Sequence, residues 1–243
     1  DLHKVYRRQR QMCIRDSLLP GYTDQPLPFD SNFGSSPIHP DKIDEKDIRA
    51  MMASYYGMIS EIDNGIGTIL QKLKAKGLYD NTMIVFTSDH GDYMSYHHMM
   101  LKGRHLYDPL IKIPLIVKYP GQTDSFLSEN IDVAPTVLEL CGQPIPPTMQ
   151  GRSLLGNDHR QFVFSEAQFG SQTNSKIGYM LRSDSYKLLV YGSMQDCVFY
   201  DLKKDPFELH DVSKEPDYQE TLHRYQTCLL YTSDAADDTP CVD

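Results

Sequence analysis

A carboxylate and an imidazole stand side by side in Thr87-Ser88-Asp89-His90-Gly91-Asp92, directly after the apolar run Met83-Ile84-Val85-Phe86, and a lysine follows at Lys102. The apolar run predicts a strand, so the acid and the imidazole emerge where that strand ends. In open α/β sheets, ligands and catalytic groups gather outside the carboxyl ends of strands, which makes this a rim position. The Asp89 oxygens are hard donors suited to calcium or magnesium. The His90 nitrogen can complete a coordination sphere or bond an anionic substrate oxygen. Gly91 lets the backbone turn sharply behind the pair. The residues read as half of a metal site. Taken alone, the Asp-His-Gly triplet is equally well explained by a capping aspartate beside an ordinary loop histidine.

The surroundings decide between these readings. After the triplet come His97, then Leu101-Lys102-Gly103 with Tyr107-Asp108, Ile113-Pro114-Leu115-Ile116-Val117 and Tyr119-Pro120-Gly121. Asp132-Val133-Ala134-Pro135-Thr136 through Gly142 and Gly151-Arg152-Ser153-Leu154-Leu155 follow. Tyr179-Met180-Leu181-Arg182 through Leu188 and Tyr200-Asp201-Leu202 through Glu208 close the series. This ordered series, over roughly residues 44 to 215, resembles the sulfatase family of the alkaline-phosphatase-like superfamily. Ordered motifs multiply where single ones mislead.

The resemblance implies an α/β fold, here a partial alkaline-phosphatase-like core with a small C-terminal α+β subdomain. It implies a sulfuric ester hydrolase that uses a divalent cation, Ca2+, with Asp89 and His90 as metal ligands. Lys102 would be the catalytic residue that contacts the sulfate or bridging oxygen, and His97 and His105 would be further substrate contacts. A solvated loop lysine and a loop-stabilising His97 are the plainer alternatives. The implied substrate is a small-molecule or carbohydrate sulfate ester, and the relatives suit a periplasmic, secreted or lysosome-like setting. Hydrolysis of such an ester must stabilise negative charge on the transferring group, which a cation and a lysine do together.

The family's nucleophile is a formylglycine made from the Cys or Ser of Cys/Ser-x-Pro-x-Arg, and no such motif occurs here. Cys13-Ile14-Arg15-Asp16-Ser17 lacks the proline, and Ser35-Ser36-Pro37-Ile38-His39 ends in histidine where arginine is required. The paired N-terminal aspartates and the histidine-bearing segment before the long helix are missing too. The expectation is the C-terminal half of the enzyme, inactive alone. A phosphonate or phosphate-ester hydrolase, a phospho-transferase of the same superfamily, and a non-catalytic sulfatase-like binding protein are the competing readings.

Both ends differ from what lies between. Val5-Tyr6-Arg7-Arg8-Gln9 with Gln11-Met12-Cys13-Ile14-Arg15-Asp16-Ser17, and Cys228-Leu229-Leu230-Tyr231-Thr232-Ser233-Asp234-Ala235-Ala236-Asp237-Asp238, resemble translated sequencing-adapter read-through. Residues 1–17 and 228–243 are therefore set apart from fold reasoning. The chain carries a net charge of -9, and the part between these ends stays acidic, which argues against non-specific nucleic-acid binding. Of five cysteines only Cys141 and Cys197 lie between the ends. They make no disulfide framework, and Cys141 is expected as a packed thiol on a helix end. No apolar stretch reaches the roughly 18 residues that span a bilayer.

The elements that must position the site follow from periodicity. Residues 18–43, rich in proline, read as an extended connection. From Asp44, Ile48, Met51, Met52, Tyr55, Ile59, Ile62, Ile66, Ile69, Leu70 and Leu73 recur at three- and four-residue steps and predict a long helix that packs its stripe into a core, ended by Gly77. A strand at 82–88, an irregular segment to about 107, a strand at 113–118 and a helix near 132–141 complete residues 44–160 as the C-terminal part of the core. After Pro144-Ile145-Pro146-Pro147, short β patterns at 161–166, 177–182, 186–191 and 198–202 and a helix near 215–227 predict a small antiparallel subdomain over 161–227.

Overall fold

The structure is a computed structural model that describes residues 36–37, 44–119, 125–156, 160–171 and 174–233. Apart from Ser36–Pro37, the proline-rich connection of 18–43 lies outside the described residues, as do residues 1–17 and 234–243. The chain forms two compact units, one of residues 1–103 and 112–123, the other of residues 104–111 and 124–243.

In the first unit, Ser36–Pro37 (β1) precedes the helix α1, Glu45–Ala75. Asp44 caps α1 by accepting the Asp47 amide at 2.9 Å, and Glu45 and Asp47 in its first turn and Lys72 and Lys74 in its last complement the helix dipole. Beyond its end Gly77 takes φ +66°, a conformation that favours glycine. Ile48, Met52 and Tyr56 of α1 are buried with Met94 in one cluster. Further along, the stripe departs from the expected core face: Ile62 and Ile69 are more than half exposed. Among the described residues, only the first half of α1 buries its apolar stripe.

Ile84–Thr87 (β2) pairs antiparallel with Leu115–Lys118 (β4), in the register Ile84↔Lys118 to Thr87↔Leu115. Between them Met99–Met100 (β3) pairs antiparallel with β1. The strands fall where the apolar runs placed them.

The second unit begins with the four-residue helix α2, Asp108–Ile111, and continues with α3, Val133–Leu140. Its sheet has four antiparallel strands in sequence order: Val163–Ser171 (β5), Asn174–Arg182 (β6), Tyr186–Tyr191 (β7) and Cys197–Asp201 (β8). The helix α4, Gln219–Ser233, follows. Leu188 and Val190 of β7 pack with Leu181, Phe199, Leu222, Tyr225 and Leu229 in the main core cluster, so α4 covers one face of the sheet. The opposite face of β7 carries Lys187, Leu189 and Tyr191, also buried, and Leu106 and Asp108 bond to it. Two layers therefore cover the sheet.

α4 runs past the expected end at 227 because Leu222, Tyr225 and Leu229 fall on one helical face, and both Cys228 and Leu229 are buried. Cys141 is exposed, in contrast to the packed thiol expected there. α3 ends at Leu140 with Pro135 and Thr136 as its buried residues, so Cys141 falls at the cap.

The segment Gly151-Arg152-Ser153-Leu154 has a structural task. Asp132, at the start of α3, accepts the Arg152 amide at 2.8 Å, and Thr136 Oγ1 accepts the Leu154 amide at 2.9 Å. A Cβ on Gly151 would lie 2.0 Å from the Ile131 carbonyl oxygen, which leaves room for glycine alone. Arg160 pairs with Asp132 and, at 3.2 Å, with Glu129, so one guanidinium is shared between two largely buried carboxyl groups at this junction.

Candidate functional site

The Asp-His pair sits at the C-terminal end of β2. The Asp89 carboxylate is fully exposed, and the His90 amide donates to its Oδ1 at 2.9 Å. That bond, followed by the Asp89 backbone amide, holds the Asp89 carboxyl below the usual carboxylate range, so it is ionised and available as a ligand. His90 Nε2 stands 3.7 Å from Asp89 Oδ2. His90 Nδ1 lies 2.8 Å from the Gly91 carbonyl oxygen. That contact selects the tautomer in which Nδ1–H donates, which leaves the Nε2 lone pair facing outward.

Lys102 completes the group, its Nζ lying 3.4 Å from His90 Nε2. The loop between them is closed by backbone bonds: the Tyr93 amide donates to the Leu101 carbonyl at 2.9 Å and the Ser95 amide to Met99 at 2.8 Å. Met94, Ser95, His97, His98 and Leu101 all adopt positive φ, between 46° and 77°. Left-handed backbone in non-glycine residues is maintained only where the surroundings over-determine it, and such clusters mark sites under functional constraint. Met94 ties the loop to α1 through the buried cluster with Ile48, Met52 and Tyr56.

The structure thus brings Asp89, His90 and Lys102 together in the first unit. His97 is buried in the same loop, its ring centroid 4.5 Å from that of Tyr96. His105 belongs to the second unit, buried with its ring 6.0 Å from Tyr107 and 5.8 Å from Tyr191. Two contributors carried no sequence signal of their own. Ser88 Oγ donates to the His90 carbonyl at 2.8 Å, and Asp92 Oδ1 accepts the Met94 amide at 2.9 Å. Burial pushes the Asp92 carboxyl up, opposed by the Met94 amide. Both residues lie inside the Thr-Ser-Asp-His-Gly-Asp motif, but their bonds go to backbone groups whose positions a motif does not specify.

The donor chemistry, a carboxylate oxygen and an imidazole nitrogen with a lysine beside them, fits part of a divalent-cation site that faces an anion. Calcium takes six to eight oxygen ligands, and among the described residues no group of three or more His, Cys, Asp or Glu is arranged to hold a metal ion. A cation held by Asp89 and His90 would therefore need further ligands.

The model for N-sulphoglucosamine sulphohydrolase, C-terminal, matches residues 96–234, more than half of the chain, and the Sulfatase model matches residues 5–143. The chain belongs to the sulfatase family. A similar curated protein is the multifunctional alkaline phosphatase superfamily protein PehA of Trinickia caryophylli, 32% identical over 223 residues, which cover 81% of this chain and 43% of PehA. The sulfatase chain described here thus spans less than half the length of that relative. Among solved structures, one of a protein in complex with its substrate D-glucosamine-2-N,6-O-disulfate matches with TM-score 0.69 and 28% identity, over 80% of this chain and 43% of that one. The phosphonate monoester hydrolase of Agrobacterium radiobacter matches with TM-score 0.71 and 27% identity, over the same shares. These likenesses give the sulfatase chain an alkaline-phosphatase-like fold, here in part. Among the described residues no helix is long and apolar enough to cross a membrane.

Proposed function

We propose that this chain is the C-terminal half of a metal-assisted sulfuric ester hydrolase, with residues 44–160 completing the catalytic core and 161–227 forming its small subdomain. Asp89 and His90 would hold a divalent cation, calcium in the family, which supplies positive charge against the charge that develops on the ester oxygens. Lys102 would meet the sulfate or the bridging oxygen. The placement of its ammonium 3.4 Å from His90 is the observation that carries this reading. Ionised Asp89 and outward-facing His90 Nε2 supply the ligand atoms, and the closed loop from Tyr93 to Leu101 holds the lysine against them. His97 and His105 are both buried, which favours a supporting task, His97 within the loop and His105 within the segment that follows it. The complex of a similar protein with a sulfated glucosamine favours a carbohydrate sulfate as substrate.

The formylglycine nucleophile would come from the part of the fold that relatives carry outside the matched region. Without a nucleophile and with two ligands, this chain neither turns over sulfate esters nor grips calcium. Calorimetric titration should give a calcium dissociation constant on the order of 10⁻⁴ to 10⁻³ M, abolished by Asp89→Ala. Submicromolar affinity, or aryl-sulfate turnover by this chain, overturns the reading.

A second reading is favoured by the likeness to the phosphonate monoester hydrolase, since phosphonate and sulfate esters present similar anionic oxygens to a cation and a lysine. Comparing sulfate and phosphonate esters on the protein extended upstream along its own reading frame separates the two. A larger kcat/KM for the phosphonate would replace sulfatase chemistry with phosphonate hydrolysis at the same Asp89, His90 and Lys102.

A further inference from the structure

The loop that returns Lys102 to His90 opens and closes on left-handed backbone. Met94, at φ 46°, is the first of its non-glycine residues in that region, and Leu101, at φ 61°, is the last. Met94 is buried and packs with Ile48, Met52 and Tyr56, so its side chain fixes its end of the loop. Leu101 has no such anchor. Its side chain is 62% exposed, and an exposed leucine gains nothing from a conformation that L residues avoid. What holds Leu101 must therefore act on its backbone.

Asp92 supplies that hold. Its Oδ1 accepts the Met94 amide at 2.9 Å, and the Leu101 amide donates to the same carboxyl group. One residue along, the Tyr93 amide donates to the Leu101 carbonyl at 2.9 Å, so residues 92 and 93 take up both backbone groups of Leu101. Burial pushes the Asp92 carboxyl up, while the Met94 amide, the His90 ring and the Leu101 amide oppose it. One half-buried carboxyl group thus meets both mouths of the loop and the imidazole. Along the chain, Asp92 lies two residues after His90, and Leu101 immediately precedes Lys102.

We propose that Asp92 is a positioning residue for Lys102: its carboxylate clasps the first and last left-handed residues of the loop and so delivers the Lys102 ammonium to His90 Nε2. A carboxylate suits the task, since its two oxygens accept several bonds at once and its bonds to amides are charge-assisted. Without it, Leu101 relaxes out of left-handed backbone and the lysine that follows swings away from the imidazole. The consequence for ester chemistry rests on the sulfatase reading, while the clasp is a matter of geometry and stands without it.

Asp92→Ala in the full chain tests the clasp. In the parent, a nuclear Overhauser contact should join the Lys102 ε-methylene protons to the His90 ring, because Lys102 Nζ lies 3.4 Å from His90 Nε2. In Asp92→Ala that contact should weaken roughly tenfold, as expected when hydrogen bonds to a charged acceptor are lost. The packing of Met94 on Met52 should persist, since the side chain of Met94 holds that end. A Lys102–His90 contact at parental strength overturns the proposal, and so does loss of the Met94 packing along with it, which would make Asp92 a support of the whole loop and not a positioner of Lys102. Should the variant fail to fold, amide exchange in the unaltered protein decides. Met94 and Leu101 amides held by one carboxylate should exchange roughly tenfold or more slower than unprotected peptide, and a Leu101 amide at the unprotected rate overturns the proposal. These readouts are independent of ester hydrolysis. A contact that survives Asp92→Ala sinks the clasp and leaves the sulfatase reading intact, whereas a parent without the contact sinks both at the observation they share.

Discussion

His90 faces two ways, and both directions were partly legible from residue types alone. An imidazole after an aspartate at a strand end announces a ligand pair, and a lysine in the same polar stretch announces anion binding. The motif did not show that His90 Nδ1 meets the Gly91 carbonyl, which turns Nε2 toward Lys102. It also did not show that the return of Lys102 depends on five non-glycine residues in left-handed backbone. Ser95 is the clearest of these, with φ 77°, 1% exposure and a hydroxyl that has no hydrogen-bond partner among the described residues. Ser95→Gly removes both the steric cost and the buried hydroxyl. It should stabilise the protein by about 1 kcal/mol, even after the entropy glycine adds to the unfolded chain. Urea unfolding checks this, and a lower midpoint at unchanged slope would show that the Ser95 side chain supports the loop.

Elements were more legible than their attachments. Helix α1, both strands β2 and β4, and all four strands β5–β8 occur where periodicity and β-branched or aromatic runs placed them. The hairpin of β5 and β6 extends through Ala167↔Gly178 to Ser171↔Asn174, past the ends that the sequence pattern set at 166 and 177. The Gly151-Arg152-Ser153-Leu154 signature was visible as a pattern, but its partners lie about twenty residues upstream, where no local rule reaches. Asp132 and Thr136 accept its amides because Gly151 lets the backbone approach Ile131. Gly151→Ala should therefore push the segment off α3 and destabilise the protein by about 1–3 kcal/mol. Thermal unfolding with an unchanged midpoint would mean that the segment shifts at no cost.

At the scale of the whole chain, sequence order misleads in one respect and amphipathicity in another. The second unit takes residues 104–111 from the middle of the chain, because Asp108 finds its counter-ions on β6 and β7. Such pairing over 74 to 79 positions leaves no local trace. The stripe of α1 predicted a buried face along its full length; among the described residues Ile48 and Met52 are buried and Met51, Tyr55 and Ile59 pack half-buried beside them, but the face does not stay buried beyond. Met58, Ile62 and Ile69 instead form an exposed apolar line, the kind of surface that drives association when nothing covers it. Burial of isoleucine is what makes its truncation cost about 2–5 kcal/mol, so exposed positions should behave differently. Ile62→Gln with Ile69→Gln, both helix-compatible, should leave unfolding stability within about 0.5 kcal/mol of the parent and reduce light scattering at high protein concentration. A loss of several kcal/mol in the double variant would show that these side chains are packed in solution, and that α1 is a core helix along its whole length.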